Sequence, residues 1–211
     1  MKTEYFSGIY YEQMPLIVTR GMGAATAKEI AQLGLAGDIY FHFYYDTSTG
    51  IFYPGHDQDR FKILPFSKDL AGITFETLLH IGGIWKEDED YEASRGREFT
   101  RKDMILGRRL TEKEALSHAG WLASFDRDEK LLERFVQRVF KDAMDRYGIK
   151  DAMGFDLRDT QGFPSIRALF LVGLEGASCA HDGHDLYSNT CLVGLYEESA
   201  KALRQKVLRK N

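Results

Sequence analysis

Between Ala24 and Leu35 the chain takes on a helical period: Ala27, Ile30, Ala31 and Leu35 share one stripe, and Gly37 stands just beyond as a stop. A second stripe is longer. Leu132, Phe135, Val136, Val139, Ala143 and Tyr147 predict a helix that starts near Asp126 or Asp128 and ends at Gly148. Before it, Thr111-Glu112-Lys113-Glu114 has the form of a capping box, in which the Thr111 hydroxyl and the Glu114 carboxylate each satisfy a backbone amide. Residues 69–85 predict a short helix closed by Gly82-Gly83, and residues 197–210 an amphipathic basic helix. The cations Lys201, Arg204, Lys206, Arg209 and Lys210 suit the negative end of that helix.

Strand signals lie on either side of these helices. Tyr5–Tyr11 and Pro15–Arg20 are rich in aromatic or β-branched residues and bounded by Gly or Pro. Asp38–Thr47 and Gly50–Pro54 flank Ser48, Thr49 and Gly50, which predicts a β-hairpin; its first arm is apolar on both faces, as a central strand would be. Later come Gly154–Arg158, Ser165–Gly173 and Asn189–Leu195. Strands early, helices in the middle and strands late give an α+β class: a mixed or mostly antiparallel, aromatic-rich sheet packed against several helices in a single domain. Lys86–Arg109, acidic then basic and poor in large apolar residues, reads as an exposed, mobile excursion.

Composition narrows the class of function. The 211 residues carry a net charge of −4, so no global basic footprint invites nucleic acid. No stretch approaches the roughly 20 apolar residues of a membrane helix, and the N-terminus lacks the pattern of a signal peptide. With only Cys179 and Cys191, a reducing compartment and a cytoplasmic location are expected. The 14 Phe and 11 Tyr, dense in the first third, fit either a tyrosine-rich sheet with one wet face or the walls of a pocket for a planar ligand.

Reactive side chains concentrate in one segment, Ser178-Cys179-Ala180-His181-Asp182-Gly183-His184-Asp185, with Tyr187, Asn189 and Cys191 close behind. Cys179, His181 and His184 could supply three zinc ligands, with Asp182 or Asp185 orienting an imidazole, although the spacing matches no standard zinc signature. Without a metal, Cys179 could act as nucleophile, His181 or His184 as base and Asp182 as orienter. The plain alternative is a glycine-bent polar loop.

A second candidate is Thr19-Arg20-Gly21-Met22-Gly23-Ala24-Ala25-Thr26, between a strand and a helix, where glycines let backbone amides approach an anion. Thr26 stands where a dinucleotide fingerprint needs its third glycine, which leaves plain phosphate binding through Arg20, Gly21 and Gly23 or, as the ordinary reading, a tight turn into a helix. Tyr40, His42 and Tyr44 are candidate walls of a ligand pocket; a buried core role for His42 is the bland alternative. Arg95, Arg97, Arg101, Lys102, Arg108 and Arg109 form a solvated basic face or an anion clamp.

Two functions from different classes follow. One is an enzyme acting on a small or planar molecule by hydrolysis or group transfer at 178–191, walled by the aromatics of 39–45 and lidded by 86–109. The other is a non-catalytic ligand-binding or protein-interaction domain that uses the aromatic sheet and the charged arm.

Overall fold

Strand β3 (Tyr45–Tyr53, YDTSTGIFY) is buried at every position, although its middle is polar. Its neighbours explain the burial. In a computed structural model, β3 lies inside a mixed eight-stranded sheet of order β6-β4-β3-β9-β10-β8-β7, with β5 added on the edge of β9. The other strands are β4 (Arg60–Leu64), β5 (Ile84–Trp85), β6 (Arg97–Thr100), β7 (Arg109–Leu110), β8 (Met153–Asp156), β9 (Ser165–Val172) and β10 (Ser178–His181). All pairings are antiparallel except β10 with β8. A second sheet, β1-β11-β2, joins Thr3–Ile9, Asn189–Tyr196 and Met22–Ala24. The structure describes residues 3–40, 44–57, 59–73, 83–158, 162–172, 178–182, 186 and 189–196.

Seven helices among the described residues cover the strands: α1 (Tyr10–Thr19), α2 (Ala27–Ala36), α3 (Lys68–Ala71), α4 (Asp88–Ala93), α5 (Glu112–Ser117), α6 (Ala119–Ser124) and α7 (Glu129–Tyr147). The class is α+β, as patterned. One apolar cluster packs α2, α6 and α7 against the face carrying Ile51, Tyr53, Leu169, Leu171 and Phe155. The opposite face, with Phe52, Ile166 and Ala168, packs on Tyr10, Met14 and Ile17 of α1 and on Tyr91. Alternation along β3 and β9 sends successive side chains to these two cores.

Between Asp46 and Gly50 the register on β9 slips, so that Thr47, Ser48 and Thr49 stand opposite a single residue, Leu169. Such a bulge frees backbone groups that must find partners elsewhere. The Tyr10 hydroxyl donates to the Thr47 carbonyl at 3.1 Å, the Ser48 amide to the Ala25 carbonyl at 3.0 Å and the Ser67 amide to the Ser48 carbonyl at 2.8 Å. Side chains extend the network. Thr47 Oγ1 donates to the Leu169 carbonyl at 2.7 Å, Ser48 Oγ to the Ala24 carbonyl at 2.9 Å and Thr49 Oγ1 to the Pro65 carbonyl at 2.9 Å. Thr49 Oγ1 also accepts the Ala27 amide at 2.9 Å. Each such bond contributes about 1 kcal/mol net, but a buried partner left unpaired costs about 1–3 kcal/mol.

The helix ends follow their sequence signals. Thr26 and Glu29 cap α2, Thr111 and Glu114 cap α5, and Asp128 caps α7 while accepting an ion pair from the largely buried Lys28 at 3.3 Å. Gly148 closes α7 with φ of 65°, a conformation that a side chain would strain.

Four expectations are corrected. Pro15–Arg20 belongs to helix α1, with Pro15 inside it; the buried residues Tyr10, Met14 and Ile17 lie at helical spacing, which overrides the β-branched composition. In place of the hairpin over 38–54 stands one bulged strand, β3, central as expected, because Ser48 and Thr49 find buried partners and do not turn into solvent; 41–43 lie outside the described residues. The helix over 69–85 is realised as α3, with strand β5 at its end; 74–82 and the terminal helix at 197–210 lie outside the described residues. The 86–109 excursion stays largely exposed, as its charge implies, but is regular: α4, β6, a 3-10 turn (Arg101–Asp103) and β7. Two aromatics, Tyr91 and Phe99, anchor it, and buried Lys62 donates to the carbonyls of Tyr91 at 2.6 Å and Ser94 at 3.3 Å at the end of α4.

His118 joins α5 to α6 and gives the fold an acid sensitivity. Its Nδ1 accepts the Trp121 amide, its Nε2 lies 3.0 Å from the Ile105 carbonyl, and its ring stacks on Phe155. Burial pushes its pKa below the ordinary 6.5. The unfolded chain therefore binds this proton first, and stability falls as pH drops through 6.5 toward the lower native value. Asparagine at 118 keeps an acceptor for the helix start but cannot titrate. In urea titrations, His118→Asn should lose less of its midpoint than wild type between about pH 7 and pH 5. An equal loss in both proteins contradicts this role.

Candidate functional site

Strand β10 carries part of the reactive segment into the sheet. Cys179 pairs with Val172 and Gly154, and His181 with Phe170 and Asp156. The reason is local: Ser-Cys-Ala-His has no residue that bars a strand, and β8 and β9 leave a slot between them.

His181 meets Phe170 edge-on, with ring centroids 4.7 Å apart and planes at 74°. On its other side, Phe170 is stacked on Tyr44 at 5.7 Å and 9°. Phe170 pairs with Asp46, so Tyr44 is its diagonal neighbour on the same face. The result is a continuous aromatic row from β10 across β9 to the residue just before β3, buried at Phe170 and open at Tyr44, which is 55% exposed. On the opposite face, the Tyr45 hydroxyl donates to the carbonyl of the exposed Tyr40 at 3.0 Å, and the exposed Tyr5 donates to the Asp38 carbonyl at 3.3 Å. The two segments singled out in the sequence, 39–45 and 178–191, thus meet at this end of the sheet.

Asp182 goes the other way. Its carboxylate is fully buried, accepting the Tyr53 hydroxyl and, at 2.7 Å, the Arg158 amide, while Arg167 donates to its backbone carbonyl at 3.4 Å. Burial pushes the Asp182 carboxyl above its usual range, opposed by the bonds from Tyr53 and Arg158 and by the nearby Arg167 guanidinium. Burial likewise pushes the Tyr53 hydroxyl far up, reinforced by the Asp182 charge. Adjacent strand residues point to opposite faces, so this carboxylate and the His181 imidazole do not form an orienting pair.

Cys191, on β11, is half-buried, and its thiol is pushed up by burial and then by Asp46, so it stays protonated and sluggish as a nucleophile. Among the described residues no group of three His, Cys, Asp or Glu side chains could hold a metal. His42, His184 and Asp185 lie outside the described residues, as does the side chain of Cys179.

The glycine-rich candidate sits elsewhere. Arg20 pairs with Glu4 at 2.6 Å and lies over the Phe6 ring. Gly21 turns the chain with φ of 69° between α1 and β2, and Gly23 pairs with Leu195 in β2. The first amides of α2 are engaged within the protein: Ala27 by Thr49 and Glu29 by Thr26.

Tyr53, Arg158, Arg167 and Phe170 were not singled out from the sequence. The alternation of SIRALFLV does place Phe170 with Ile166 and Ala168 on one face, but nothing local shows that His181 will lie beside it.

These sheets and helices have a known counterpart. A solved structure described as "Accommodation of massive sequence variation in Nanoarchaeota by the C-type lectin fold" is similar to this chain with a TM-score of 0.66 at 11% identity. The similarity covers 91% of this chain and 96% of that one. At that identity the likeness shows the fold alone, and the fold is that of C-type lectins. No protein-family model and no curated protein matches the chain.

The Asp182 geometry makes a prediction. Asp182→Asn can keep Oδ1 as acceptor for the Arg158 amide and donate through Nδ2 to the Tyr53 hydroxyl oxygen, and it removes the penalty of burying a charge, so its stability at neutral pH should stay within about 1 kcal/mol of wild type. Asp182→Ala leaves a buried hydroxyl and amide unpaired and should cost about 2–4 kcal/mol. Chemical denaturation of the two variants decides; equal losses in both would remove this carboxylate from the fold's support.

Proposed function

We propose that the protein is a non-catalytic binding module, and that the row Tyr44–Phe170–His181 is the recognition surface for a planar small molecule. The observation that carries this reading is the continuous ring contact from buried Phe170 out to exposed Tyr44. A rigid aromatic ledge offers large contact area at little entropic cost, and His181 adds a polar edge that can orient a ligand. The α4–β6 arm would serve as a second docking element.

Hydrolysis or group transfer by Cys179, His181 and Asp182 gains less support. Such a triad needs the aspartate on the imidazole, and Asp182 is held by Tyr53 and Arg158 instead. Zinc held by Cys179, His181 and His184 would show directly as metal in elemental analysis. No helix among the described residues is long and apolar enough to cross a membrane.

Saturation-transfer NMR with a panel of planar aromatic fragments tests the proposal. Fragments that bind wild type should lose about tenfold in affinity with Tyr44→Ala and with His181→Ala. Tyr44 is exposed, so the first variant should keep its fold. Binding that both variants leave unchanged, or a panel that yields no binder, would rule the surface out.

A further inference from the structure

At the far end of β9 a second aromatic pair stands in solvent. β5 pairs Trp85 with Ser165, the first residue of β9, whereas Phe170 of the Tyr44 row is its sixth. Trp85 lies beside Phe163, with centroids 6.1 Å apart and planes inclined at 54°. Both rings are 43% exposed. Two large aromatics in tilted contact, neither packed into a core cluster, leave ring surface of both open to solvent at an angled corner.

The charge beside this corner is negative. The indole N–H of Trp85 donates to the Glu87 carboxylate at 3.1 Å, which fixes the ring and holds an anion at its edge. Asp88, Glu89 and Asp90 follow in α4. Asp88 is occupied by the Gly55 amide at 2.8 Å and by His56 at 3.2 Å. The nearest cation in sequence, Lys86, is tied to Asp69 at 2.6 Å. Among the described residues no Lys or Arg pairs with Glu87 or Glu89.

We propose that the Trp85–Phe163 corner, with Glu87 at its edge, binds an organic cation of the alkylammonium or quaternary ammonium type. The negative faces of aromatic rings attract such cations, Trp most strongly, and a weakly hydrated quaternary ammonium loses little in leaving water. The neighbouring carboxylates raise the local concentration of positive ligands. An anionic ligand is repelled here, and a neutral one gains only contact area. The site is separate from the Tyr44 row and stands or falls independently of it.

The chain carries a built-in reporter. Of its two tryptophans, Trp121 is fully buried, so Trp85 supplies the solvent-exposed emission. Choline is titrated against 3,3-dimethylbutan-1-ol, its neutral counterpart of the same shape, at constant ionic strength. Choline should change the exposed-tryptophan emission saturably, with a dissociation constant on the order of millimolar. The neutral alcohol should bind at least about fivefold more weakly. Phe163→Ala should remove the saturable change, and Glu87→Gln should weaken it roughly two- to fivefold. Equal binding of the alcohol would make the corner merely apolar and overturn the proposal. So would the absence of saturation by choline, or binding that Phe163→Ala leaves intact.

Discussion

Three residues at the bulge of the large sheet tie it to the small sheet and to the helices around it. Where β3 bulges against β9, the backbone and side chains of Thr47, Ser48 and Thr49 reach Tyr10 on α1, Ala24 and Ala25 at the end of β2, Ala27 at the start of α2, and Pro65 and Ser67 before α3. All three are buried, so water cannot replace a lost partner. The position of α2, the join to the small sheet and the depth of β3 all depend on this knot of hydrogen bonds.

The candidate site inherits its geometry from the same strand. Below the bulge, Asp46 aligns with Phe170 and then with His181, so the face that carries Tyr44 becomes an aromatic ledge. One residue on, alternation turns Asp182 into the core, where Tyr53 and the Arg158 amide hold it. The sheet therefore separates what looked like one reactive cluster into an outward ring contact and an inward carboxylate. That separation is the physical reason a binding surface fits these residues better than an Asp-assisted nucleophile.

Much of the helical structure was legible in advance, because its signals are local. The stripe ending at Gly148, the Thr111–Glu114 box and the Gly37 stop each stand where their caps require. Helix α1 is hidden from its composition because Ile17 and Val18 favour strands, although Tyr10, Met14 and Ile17 keep a helical interval on its buried face. The bulge resembles a turn in sequence because Ser-Thr-Gly normally seeks water; its partners come from residues 24–27 and 65–67, which no local pattern connects to it. The aromatic walls and the His181 segment were both identified, but their meeting through Phe170 depends on a register between distant strands. The order of the 86–109 arm hinges on Tyr91, Phe99 and Lys62, too few anchors to stand out amid so much charge.

Native-state hydrogen exchange of single amides probes the central constraint most directly. The amides of Ala27 in α2, Ser48 in β3 and Ser67 just before α3 are far apart in sequence yet all bond at or through the 47–49 bulge. They should exchange only through global opening, with one common free energy that tracks denaturant together. In Thr49→Val, all three should gain faster exchange while Leu132 in α7 changes no more than the overall loss of stability requires. If these amides open at separate, lower free energies, or if Thr49→Val touches Ala27 alone, the bulge is a local irregularity and does not hold the sheets together.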